Sequence, residues 1–76
     1  MNTDTNKLAK MFTDRWNESR DEDQHVDTSN MEVFKVDPPS GSSGICYSAR
    51  FQVDRGGWWV YVGSINVTTG VRFRFA

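Results

Sequence analysis

An acidic run carries the chain's one histidine: Asp21-Glu22-Asp23-Gln24-His25-Val26-Asp27. Carboxylates and an imidazole are the donors a metal ion takes, so Asp21, Glu22, Asp23 and Asp27 with His25 have the right chemistry for a cation. Nothing in the run fixes their geometry, and no glycine-turned calcium loop is present. The expectation is a solvated, mobile acidic segment with no metal. A secondary reading is an acidic patch that meets a basic partner. Cys46, the single cysteine, would be the nucleophile of a cysteine–histidine pair with His25. Such a pair needs a third group to orient the imidazole, and none is evident. No catalytic residue and no enzyme is expected, and Cys46 reads as a small, inert strand residue.

The third set is the most informative. Arg50, Trp59, Tyr61, Arg72 and Arg74 recur at alternate positions in segments of strand character. Side chains two apart on a strand share a face. Tryptophan, tyrosine and arginine dominate protein-binding hot spots. The same groups stack on bases and meet phosphates in single-strand binders. Arginines beside rings also form intrachain cation–π pairs that protect an exposed sheet. These three readings stay open at the level of sequence.

The elements that must position these residues follow from periodicity and turn chemistry. Residues 3–20 read as a helix, capped by Thr3 or Thr5, with Asp4 suited to the positive end of its dipole. Leu8, Met11, Phe12 and Trp16 form its apolar stripe. Residues 21–30 are an acidic linker. Strands are expected at about 31–36, 45–53, 58–65 and 71–76. Asp37-Pro38-Pro39-Ser40-Gly41-Ser42-Ser43-Gly44 stops the first, because proline cannot donate to a ladder. Asp54-Arg55-Gly56-Gly57 and Thr69-Gly70 are turns. Neither glycine-rich stretch opens a helix or cradles a phosphate.

Loop lengths then predict the register. Val53 pairs with Trp58, Phe51 with Val60 and Ala49 with Val62. Asn66 pairs with Val71, Ser64 with Phe73 and Val62 with Phe75. One face collects Ala49, Phe51, Val53, Trp58, Val60, Val62, Val71, Phe73 and Phe75, which is a core. The other collects Arg50, Trp59, Tyr61, Arg72 and Arg74. A one-residue slip would exchange these faces.

The expected fold is α+β: one N-terminal helix packed on a four-stranded antiparallel sheet, a meander, in a single domain spanning residues 1–76. This order resembles cystatin-like and PepSY-like units. The resemblance is of architecture alone, shares no motif and implies no function.

Composition narrows the function classes. The 76 residues carry a net charge of −1, with 13% aromatics. Residues 1–44 hold nine acids and five bases, whereas 45–76 hold four arginines and Asp54. A basic half and an acidic half can coexist in a nearly neutral chain. One cysteine excludes an internal disulfide and suits a reducing, cytoplasmic setting. No apolar run is long enough for a membrane span, and no secretory leader is read at the N-terminus. Asn66-Val67-Thr68 matches a glycosylation sequon but reads as part of a turn. The expected function is a small non-catalytic protein-binding module, an inhibitor or accessory factor of phage or mobile-element type, with no cofactor. The alternative is a nucleic-acid binder using the same face. A homodimer through stacked faces or edge strands is a variant of the first.

Overall fold

The computed structural model describes residues 4–54 and 56–74. A helix, α1 (Thr5–Glu18), precedes four strands: β1 (Glu32–Val36), β2 (Cys46–Gln52), β3 (Trp59–Asn66) and β4 (Val71–Phe73). The strands form one antiparallel sheet in the order β1-β2-β3-β4. The expected α+β meander is therefore what the chain adopts. The helix starts later and stops earlier than the sequence pattern suggests. Its N-cap is Asp4 rather than a threonine, and its carboxylate accepts from the backbone N–H groups of Asn6 and Lys7 at 3.0 and 3.3 Å. A carboxylate there satisfies orphan donors and also meets the positive end of the dipole. No helix of the described residues is long and apolar enough to cross a membrane.

The core lies between α1 and one face of the sheet. Ala9 and Phe12 of the helix and Met31 ahead of β1 pack with Ala49, Phe51, Val62 and Ile65. Phe12 is fully buried, and Leu8, Met11 and Trp16 flank it as the periodicity predicts. Trp16 meets Phe51 edge-on, ring centroids 4.9 Å apart. Thr13, buried among these residues, donates its hydroxyl to the Ala9 carbonyl at 2.7 Å.

Residues 21–30 are not a free loop. They form two short 3₁₀ turns, Glu22–Gln24 and Thr28–Asn30. The helix holds them: Asn17 exchanges two hydrogen bonds of 3.0 Å with the backbone of Val26, and Trp16 Nε1 donates to the Gln24 carbonyl. This pins the acidic run against the C-terminal end of α1.

The register holds in part. Phe51 pairs with Val60 and Gln52 with Trp59, and Val53 N–H donates to the Trp58 carbonyl at 3.0 Å. The turn between them closes with Gly57 N–H on the Asp54 carbonyl, and Gly56 sits at φ +78°, where glycine alone is unstrained. The expected Ala49–Val62 pair does not form. A β-bulge places Tyr61 opposite Arg50 and Gly63 opposite Ala49, leaving Val62 as the extra residue. Because Gly63 has no side chain, Val62 takes the core slot over Ala49, and both are buried.

The bulge reverses side-chain parity beyond it. Ser64 still pairs with Phe73, and Asn66 with Val71. All four now face away from the helix, so Val71 and Phe73 leave the expected core. Arg72, opposite Ile65, moves to the helix side. The expected partner of Val62, Phe75, lies outside the described residues. Trp58 is also not core: it is 83% exposed, and Val53 is exposed beside it. The helix side ends at the Phe51–Val60 pair, and the hairpin overruns it.

Candidate functional site

Cross-strand pairing arranges the face away from the helix in rows. Gln52 sits beside Trp59. Next come Glu32, Arg50 and Tyr61. Then follow Phe34, Ser48, Ser64 and Phe73, and last Val36, Cys46, Asn66 and Val71. Neighbouring residues in a row are close enough for direct side-chain contact.

The middle of the last row is closed over, while Val71 at its edge is exposed. Cys46 is fully buried although it does not belong to the helix-side core. The 37–44 segment lies against its row neighbour Asn66: Asn66 Nδ2 donates to the Ser43 carbonyl at 2.9 Å, and Pro39, Ser42 and Ser43 share a hollow with Asn66, Val71 and Phe73. Asn66 Oδ1 also accepts from Thr68 and Thr69 N–H. The sequon asparagine is thus buried and committed to the fold. His25 lies on the opposite side of the sheet, in a groove lined by Trp16, Arg20, Asp23, Asp27, Phe51 and Val60. Cys46 and His25 therefore do not come together. Asp21, Glu22, Asp23 and Asp27 are all exposed, and among the described residues no cluster could hold a metal ion.

The first two rows hold most of the residues expected to bind. Arg50 Nη2 donates to Glu32 Oε1 at 3.0 Å. Its guanidinium carbon lies 4.1 Å from the Trp59 ring centroid and 5.2 Å from that of Phe34. Phe34 in turn meets Tyr61 edge-on at 6.2 Å. The Glu32 hydrogen bond, with Tyr61 adding in the same sense, holds Arg50 above its ordinary value, so it stays charged. Its Nε is shut from solvent with no hydrogen-bond partner among the described residues, as suits a guanidinium lying against ring faces. Arg50 therefore orders the rings around it rather than offering a free charge.

Trp59 is 42% and Tyr61 59% exposed. Arg74 joins them by an irregularity. Strict alternation would send it to the helix side with Arg72. Instead it ends the strand at φ +54° and lines a hollow with Phe34, Val36, Ser48, Tyr61, Gly63 and Ser64. Four of the five expected residues, Arg50, Trp59, Tyr61 and Arg74, thus share the open face, and Arg72 does not.

Sequence reasoning missed Glu32 and Phe34. Their alternation in Glu32-Val33-Phe34-Lys35-Val36 is visible, but the long Pro/Gly/Ser segment fixes no register for β1. Ser48 and Ser64, whose hydroxyls bond to each other across the strands, gave no signal beyond a small polar residue at strand positions. No protein family, curated protein or solved structure matches this chain.

Proposed function

We propose that this chain is a non-catalytic protein-binding module whose contact surface is the open sheet face. The observation that carries the reading is the ordered set of rings on that face. Trp59, Tyr61 and Phe34 stand around a guanidinium already neutralised by Glu32. Rings held in place lose little side-chain freedom when a partner covers them, which favours their use as anchors. Trp59 and Tyr61 are the anchors, and Arg74 meets an acid at the rim. Small single-domain binding modules often serve as inhibitors or accessory factors, those of phages and mobile elements included, and this is the role we propose. A reducing compartment such as the cytoplasm suits its single free thiol.

Nucleic-acid binding is the second reading, favoured by rings beside arginines. It is weakened by the two losses from the expected basic set: Arg50 is paired with Glu32, and Arg72 sits on the helix side. With Arg74 as the remaining phosphate contact, the log–log salt slope on a single strand would be about −0.7, against roughly −2 for three contacts.

The test is affinity capture from the source organism's lysate, with and without nuclease, beside the Trp59→Ala/Tyr61→Ala double variant. A nuclease-resistant partner that the folded variant fails to retain supports protein binding. A nuclease-sensitive catch promotes the second reading. Equal recovery by both forms would sink the sheet-face reading.

A further inference from the structure

The hollow bounded by Phe34, Val36, Tyr61 and Arg74 has a shape set by the rows beneath it. Its floor is Ser48, Gly63 and Ser64, all buried and all small. Phe34 and Phe73 stand at the two ends of that row, and Tyr61 stands in the row beside it. Small residues between large ones make a depression, here of about 370 Å³. That is the low end of ligand-pocket volumes and leaves room for one large side chain. Ser48 and Ser64 bond to each other, so each floor hydroxyl already has one partner within the fold. The rim carries Arg74. Its guanidinium carbon lies 5.6 Å from the Phe73 ring centroid, and among the described residues no carboxylate lies within ion-pair distance of it.

We infer that this hollow receives an apolar side chain of the partner protein, aromatic or large aliphatic, with an adjacent carboxylate of the same segment paired to Arg74. The inference rests on the sheet-face reading and specifies its partner as an acidic segment bearing an apolar anchor. Charge decides this. Arg50 is matched by Glu32 within the fold, which leaves Arg74, among the described residues, as the cation on this face open to an external acid. A basic segment would meet that cation with nothing to offset it. The apolar walls of Phe34, Val36 and Tyr61 select the anchor by area removed from water.

The probe is N-acetyl-phenylalanine, compared with its uncharged amide, titrated into the ¹⁵N-labelled full chain and followed by amide shifts. Both should move Ser48, Gly63 and Ser64. The carboxylate should bind about two- to five-fold tighter, the range of an exposed ion pair. Arg74→Gln should erase that difference, and Tyr61→Ala, at an exposed position, should weaken both probes. Equal binding of the two probes to the unaltered chain would overturn the inference. So would unmoved floor amides up to about 20 mM probe, where even millimolar affinity saturates. A dimer in sedimentation that Tyr61→Ala dissociates would also overturn it, since a second copy would fill the hollow. Failure here leaves the capture experiment intact. If Trp59→Ala/Tyr61→Ala still abolishes capture while the probes fail, the face binds protein but the hollow is not its anchor site.

Discussion

Asn66→Ala tests how the closed end of the open face is held. The Asn66 side chain is 7% exposed and makes hydrogen bonds of 2.9 Å to the Ser43 carbonyl, 3.0 Å from Thr68 N–H and 3.3 Å from Thr69 N–H. A neutral intramolecular hydrogen bond contributes about 1 kcal/mol net. The longest of the three contributes least, and water can reach the exposed Ser43, Thr68 and Thr69 once the side chain is gone. The expected loss is about 2–3 kcal/mol, read as a fall in the urea midpoint of roughly 1–2 M. A second readout is Cys46, buried beside Asn66 across the β2–β3 ladder. If the same free energy is lost from local opening, thiol labelling should accelerate by roughly 30- to 150-fold. Asn66→Asp keeps both acceptors but turns a carboxylate toward the Ser43 carbonyl, and should fall between the two. A loss under about 0.5 kcal/mol, within the scatter of surface substitutions, with unchanged labelling would refute the reasoning. The 37–44 segment would then be held by something other than this side chain.

Phe12→Ala, at the fully buried centre of the helix–sheet core, should cost about 3–5 kcal/mol in chemical denaturation. Trp58→Ala should change stability by less than about 0.5 kcal/mol in the same assay, because the ring is 83% exposed. A large loss there would mean that the hairpin is covered. Gly44→Ala should lower the thermal midpoint. Its φ is +116°, and an added Cβ would stand 2.8 Å from Asn66 Oδ1 and 3.0 Å from Thr68 Cβ. An unchanged midpoint would show that this junction can relax.

How much was legible in the sequence depends on what fixes each element. The helix stripe and the β2–β3 turn are local signals, and Phe12, Trp16 and the Phe51–Val60 pair stand where periodicity puts them. The bulge is not local. It depends on Gly63 lacking a side chain opposite Ala49, so that Val62 can slide into the core, and an alternating pattern cannot report one skipped residue. That single skip explains why Arg72 and Phe73 exchanged faces while their strand pairings held. Asp4 suits the dipole in the sequence and is also the cap in the fold; Thr3, Asp4 and Thr5 are all capping residues, and local sequence does not choose among them. The order in 21–30 comes from Asn17 and Trp16, helix residues whose polar groups reach backbone atoms eight and nine positions on. Polarity along the linker itself carries no trace of that. Phe34 was hidden by the length of the connection after β1, which leaves its register free until the sheet is assembled.

The bulge also changes what a length mutation would do to this strand. Elsewhere in β3, removing one residue turns every later side chain over and forces one hairpin to re-pair. At Val62 it does neither. Tyr61 would remain opposite Arg50 and Gly63 opposite Ala49, so both flanking ladders keep their partners. The chain would lose one buried isopropyl group and nothing of its wiring. Val62 is therefore the position in β3 where a regular hairpin can gain or shed a residue and still close on the same neighbours. A strand of seven residues and one of eight can thus build the same sheet.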